Sequence, residues 1–211
     1  PPRSTLFPYT TLFRSGWWRS INVFNDGSAI FERCVISYAG RSDGAALLKS
    51  GSGSLVVTQT RILNTAGDGL RIAAGYSSFI HEYNTYTGNS IGVRVLINAS
   101  FDDLSSHFEG NALDIQLDGG AINTFVKWGA SSNYSIVLAG DITVSEGALL
   151  AIAPGTVLKL RQNNRMLVSG HLKAIGTQDS LIYFTDWRDD SVGGDANRDG
   201  TETIPDRKSV V

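Results

Sequence analysis

The chain has 211 residues, 42% of them apolar and 18% charged, with a formal net charge of −2. This balance excludes a disordered chain and leaves no electrostatic footprint for DNA or RNA. No stretch approaches the ~20 consecutive apolar residues that a membrane-spanning helix needs, and the single cysteine, Cys34, cannot build an internal disulfide framework.

In chain order, residues 5–15 come first and read Thr-Leu-Phe-Pro-Tyr-Thr-Thr-Leu-Phe-Arg-Ser. That string is the translation of a widely used short-read sequencing adapter, and Asp206–Val211 matches its reverse complement just before a stop codon. Segments 1–15 and 206–211 are therefore expected to be adapter-derived and not native, so the true polypeptide is expected to be longer.

Residues 16–120 carry a repeat. Gly44, Gly69, Gly92 and Ala112 are spaced by 25, 23 and 20 residues. One residue later stand Ala45, Leu70, Val93 and Leu113, and three residues later Leu47, Ile72, Val95 and Ile115. Upstream, Ile36, Ile62, Tyr86 and Phe108 form a second apolar column, preceded two positions earlier by Cys34, Thr60, Asn84 and Ser106. A period of this length marks a solenoid, in which one repeat cannot bury its own apolar face and stacks on its neighbours. Short β-type runs between Gly, Asn, Asp and Ser corners, with no sustained 3.6-residue period, predict strands and almost no helix. The expected fold is all-β, a right-handed parallel β-helix of the pectin-lyase-like kind with about 6–8 coils. The small polar column at Thr60, Asn84 and Ser106 is expected to hydrogen-bond along the stack.

The segment 121–133 shows no such pattern and reads as an irregular join. From 134 to 187 the repeat resumes: Val144 to Val168 and Leu158 to Ile182 are each 24 residues apart. Residues 188–205 form an acidic loop. The run Gly140-Asp-Ile-Thr-Val, Leu150-Ala-Ile-Ala-Pro-Gly-Thr-Val, Leu167-Val-Ser-Gly-His-Leu and Ile182-Tyr-Phe-Thr-Asp186, followed by Asp189-Asp-Ser-Val-Gly-Gly-Asp195, resembles the recurring module of large secreted bacterial β-helix surface proteins. Gly16-Trp17-Trp18 resembles the continuation of that module after its acidic loop. The resemblance implies an extracellular or cell-surface setting in bacteria, with neighbouring modules of the same kind as partners. It implies little about activity, since one fold hosts many functions.

The sharpest chemical motif is Asp195-Ala-Asn-Arg-Asp-Gly-Thr201. Its spacing aims Asp195, Asn197 and Asp199 at one calcium ion, Gly200 permits the turn, and the Thr201 carbonyl is the next ligand. Asp189 and Asp190 lie close enough to add charge. The usual acid at the twelfth loop position would be Asp206, within the adapter-like end. For a polysaccharide lyase the candidates are Arg71 and Arg94 in one outward column, Asp114 in the following coil, and Asp102 and Asp103 near that face. Asp102-Asp103 with His107 also resembles a fragment of the pectin-hydrolase pattern, without its accompanying segments. The bland reading is a solvated Arg/Arg/Asp ladder with Arg94 pairing Asp114. His81, His107 and His171 are expected to be solvated. Trp17, Trp18, Trp128, Trp187, Tyr76 and Tyr134 fall outside the clearest core columns, where exposed rings would stack on sugars. The expectation is a non-catalytic structural or adhesive module, ordered by calcium and meeting polysaccharide or cell-surface ligands. The alternative is a carbohydrate-active or polysaccharide-binding β-helix.

Overall fold

The computed structural model describes residues 16–41, 44–73, 79–103, 105–200 and 202. The adapter-like segments, Tyr76 and Thr201 lie outside them. Among the described residues every regular element is a strand, every strand pairing is parallel, and no helix is long and apolar enough to cross a membrane.

The organising element is one sheet of eight strands, to which each coil contributes one. It collects Ile21–Val23, Ala45–Lys49, Asp68–Ile72, Ile91–Val95, Leu113–Leu117, Ser135–Leu138, Val157–Leu160 and Tyr183–Asp186 in spatial as well as chain order. The chain is thus a parallel β-solenoid of about seven turns. Its inward column along this sheet runs Leu47, Leu70, Val93, Ile115, Ile136, Leu158 and Phe184. The members from Leu47 to Leu158 are fully shielded, and each such side chain contributes roughly 1.5–3 kcal/mol by transfer from water.

This register corrects the alignment read from the sequence at three places. Leu47, and not Ala45, opposes Leu70; Ile115, and not Leu113, opposes Val93; Phe184, and not Ile182, opposes Leu158. Each slip is two residues. Strand side chains alternate with period two, so an even shift keeps apolar residues over apolar residues and leaves no trace in the pattern. The column Ile36, Ile62, Tyr86 and Phe108 stacks as expected. Its aromatic members lie 5.1 Å apart at 13°. The glycines beside them make room: a Cβ on Gly92 would sit 2.8 Å from Phe108 Cδ1, and one on Gly69 would sit 2.9 Å from Tyr86 Cδ1.

The expected polar ladder is present. The Cys34 amide donates to Thr60 Oγ1, the Thr60 amide to Asn84 Oδ1, and the Asn84 amide to Ser106 Oγ. A second ladder stands three residues after the aromatic column. The Thr65 amide donates to Asn89 Oδ1 and the Asn89 amide to Asn111 Oδ1, each at 3.0 Å. Both ladders satisfy backbone groups at corners where no strand partner is in reach. The corners bend through left-handed backbone, at Arg33, Gln59 and Tyr83 before the first ladder and at Tyr38, Asn64, Gly88 and Gly110 before the second.

The segment 121–133 is not an irregular join. It holds Gly120–Ile122 and Phe125–Ala130, paired respectively with Ile142–Val144 and Leu149–Ile152. What changes here is the cross-section. The sheet made of Val35–Ser37, Arg61–Leu63, Thr85–Thr87 and His107–Glu109 stops, and one beginning at Gly120–Ile122 starts on another side. Tyr134 closes the discontinued stack, its ring 5.0 Å from Phe108 at 65°. Trp128 pairs with Phe101 and Ile152 and is fully buried, so it is a core residue and not a candidate sugar platform.

Candidate functional site

Along the outer surface of the long sheet one column runs Leu48, Arg71, Arg94, Gln116, Val137, Lys159 and Thr185. Arg71 and Arg94 share it as the spacing predicts. Their next neighbour, however, is Gln116 and not Asp114. Both guanidiniums instead converge on Asp68, whose Oδ2 lies 2.6 Å from Arg71 Nε and 3.2 Å from Arg94 Nε. Burial pushes the Asp68 carboxyl up from its ordinary value, against the pull of Arg71 and Arg94.

The other lyase candidates lie elsewhere. Asp114 is held by Asn111 Nδ2 at 3.1 Å and by Arg198 Nη2 at 3.5 Å. Asp102 and Asp103 belong to the strand Phe101–Asp103 in a different sheet. Asp102 points out and pairs with Lys127. Asp103 points into the core, where its Oδ2 lies 2.5 Å from His81 Nδ1. His81 Nε2 in turn meets the Tyr86 hydroxyl at 2.5 Å. The expectation that all three histidines are solvated therefore fails for His81, which is 6% exposed. Its signal was hidden, because His81 occupies an inward strand position opposite Val57. His107 lies far from this pair in chemistry, its Nδ1 2.8 Å from the Tyr134 hydroxyl. Arg71, Arg94, Asp102, Asp103 and Asp114 are thus spread over two outer faces and the interior.

The acidic loop does gather its charges. After Tyr183–Asp186 the chain folds back over the outer face of the long sheet. Thr185 Oγ1 donates to Asp189 Oδ2 at 2.5 Å, and Gly193 packs so closely that an added Cβ would lie 2.9 Å from Val157 Cγ1. Ala196 covers the apolar patch of Ile91, Leu113 and Val137. Arg198 anchors the far end on Asp114 and on the Ala112 carbonyl. Asp114, Tyr134, Asp195 and Arg198 line a cavity of about 200 Å³ beneath it.

Within the loop Asp195 Oδ1 accepts from the Arg198 amide at 2.6 Å and Oδ2 from the Gly200 amide at 2.9 Å. Asn197 Nδ2 donates to Asp199 Oδ2 at 2.7 Å. Gly200 takes φ +72°, the turn that the motif requires. One oxygen each of Asp190, Asp195 and Asp199 lie within 4.8 Å of one another, a group able to hold a metal ion. Asp190 Oδ1 is buried and accepts no hydrogen bond, which fits a hard cation with oxygen ligands. Burial pushes the Asp190 carboxyl up, and the nearby Asp195 and Asp199 charges push it further. Two of the four residues read from the motif, Asp195 and Asp199, enter this group. Asp190 joins them, while Thr201 lies outside the described residues. No family model, curated protein or solved structure matches the chain, so the site rests on its own residues.

Proposed function

We propose that this chain is a non-catalytic, structural or adhesive β-solenoid module of a secreted or cell-surface bacterial protein, with calcium ordering its acidic loop. The observation that carries the reading is the gathering of one oxygen each from Asp190, Asp195 and Asp199 within 4.8 Å of one another. Calcium takes six to eight oxygen ligands in a flexible shell, and a loop of this composition offers carboxylates, the Asn197 amide oxygen and backbone carbonyls. The role of the ion would be to pin a long loop against the solenoid. A stiff spacer is what stacked coils supply, and its ligands would be polysaccharides, other cell-surface groups or neighbouring modules of the same kind. Support for the non-catalytic part comes from Arg71 and Arg94, whose charges are directed onto Asp68 and not into a shared cleft with Asp102 or Asp114.

Thermal unfolding measured in a chelator and again in excess calcium tests the metal. Saturation at about 100 times the dissociation constant stabilises the folded state by about 2.7 kcal/mol, so the midpoint rises. An unchanged midpoint sinks the calcium reading. Incubation with uronate polymers tests the rest, and release of unsaturated sugar ends would overturn the non-catalytic assignment.

A further inference from the structure

Lys159 stands on the outer surface of a solenoid, yet it is fully buried. Its column neighbours on the sheet are Val137 and Thr185. Val137 offers no anion, and the Thr185 hydroxyl is committed to Asp189. What covers Lys159 is the acidic loop: Nζ donates to the Gly194 carbonyl at 2.5 Å. The carboxylates whose charges act on it are Asp190, Asp189 and Asp195, all of that loop. Burying an ammonium is costly unless it is paired and hydrogen-bonded. Three carboxylates brought together are equally unfavourable unless a cation sits near them.

We propose that Lys159 is the resident cation of the acidic loop, docking residues 188–200 on the long sheet when no metal is present. Its ammonium offsets the mutual repulsion of Asp189, Asp190 and Asp195, while Asp190, Asp195 and Asp199 keep one oxygen each within 4.8 Å of one another. The protein's tethered charge and a free divalent ion then act on one loop, and either suffices to keep it in place. This deepens the calcium reading and rests on it only for rescue by added metal.

Amide hydrogen exchange across 188–200 tests the proposal, using the whole chain as wild type, Lys159→Met and Lys159→Gln, each in a chelator and in excess calcium. Wild type is expected to be protected in both conditions. Both variants are expected to exchange about tenfold faster in the chelator, equivalent to about 1.4 kcal/mol, with the strands Leu55–Thr58 and Arg61–Leu63, which the loop does not touch, unchanged. Calcium is expected to restore protection. Loop protection in Lys159→Met equal to wild type in the chelator would overturn the proposal. So would wild-type protection in Lys159→Gln, since a neutral donor would then suffice. A wild-type loop protected only by calcium would also overturn it while leaving the calcium reading standing. Faster exchange in both variants without rescue by calcium would uphold Lys159 as the docking cation and overturn the claim that a divalent ion alone suffices.

Discussion

Asp103 and His81 meet inside the solenoid, Oδ2 to Nδ1 at 2.5 Å, with side chains 1% and 3% exposed. Tyr86 extends the contact, and its ring lies 5.4 Å from that of His81. The remaining Asp103 oxygen accepts from the Ser105 amide and hydroxyl and from the Ser106 amide. Every polar partner in this group comes from two consecutive coils. The pair therefore selects one stacking register among the even-residue slips that apolar columns tolerate.

Replacing Asp103 by Ala removes the partner of a buried histidine and the acceptor for two backbone amides. The expected loss is about 3–5 kcal/mol of unfolding free energy, read from urea midpoints at constant slope. The double substitution His81→Leu with Asp103→Val restores an apolar column and should cost less than Asp103→Ala alone. A double variant as unstable as the single would show that apolar packing cannot replace the pair, and that its contacts with the Ser105 and Ser106 amides carry the stability.

Acid should act through the same carboxyl. Burial alone would push Asp103 up, but the His81 hydrogen bond and charge, with Ser106 and Ser105, outweigh it and hold the group well below the carboxylate range. A depressed folded value means the stabilisation is present above the unfolded value, about 3.9, and is lost as pH falls below it toward the folded value. Wild type should therefore lose more stability than Asp103→Asn when the buffer is taken from about pH 6 to about pH 3. Equal losses would place the acid sensitivity elsewhere.

Asn89 should be costly to remove, as should Asn84, which makes the same kind of contacts with the Thr60 amide and the Val57 carbonyl. Asn89 Oδ1 accepts from the Thr65 amide while its Nδ2 donates to the Ile62 carbonyl, so one side chain closes two backbone groups of the preceding coil. Asn89→Ala is expected to lose about 2–3 kcal/mol, the penalty for leaving buried polar groups unpaired. A loss under about 0.5 kcal/mol, typical of a surface change, would mean water replaces the amide.

The sequence disclosed the solenoid because stacked coils print like residues at a near-constant spacing. Ile62, Tyr86 and Phe108 could be aligned by eye, and so could Thr60 and Asn84 two positions before. Thr65, Asn89 and Asn111 stand three positions after the same column, an equally regular signal of the second ladder. The left-handed corners were not legible, since Arg33, Gln59 and Tyr83 carry no preference for that backbone. The change of cross-section after Glu109 was hidden because the repeat length barely alters while the strands move to other sides. In the acidic loop the motif spacing revealed Asp195 and Asp199. Its docking could not be read, because Lys159 and Arg198 find their partners across 35 and 86 residues respectively.

That long reach bears on how the molecule comes apart. A bare stack of repeats has an energy that is a sum over adjacent pairs, so it can fray coil by coil from either end. The strap from Asp186 to Arg198 adds terms that no adjacent pair contains. Beyond the adjacent strand Val157–Leu160, held through Lys159, it reaches the strand Leu113–Leu117, three coils away, through Asp114. Peeling the last coils away one at a time requires breaking those fastenings first, whereas the coils before Ile91 bear no such tie among the described residues. Over the described residues the solenoid is mechanically uneven: graded in the coils before Ile91, all-or-none where it is strapped.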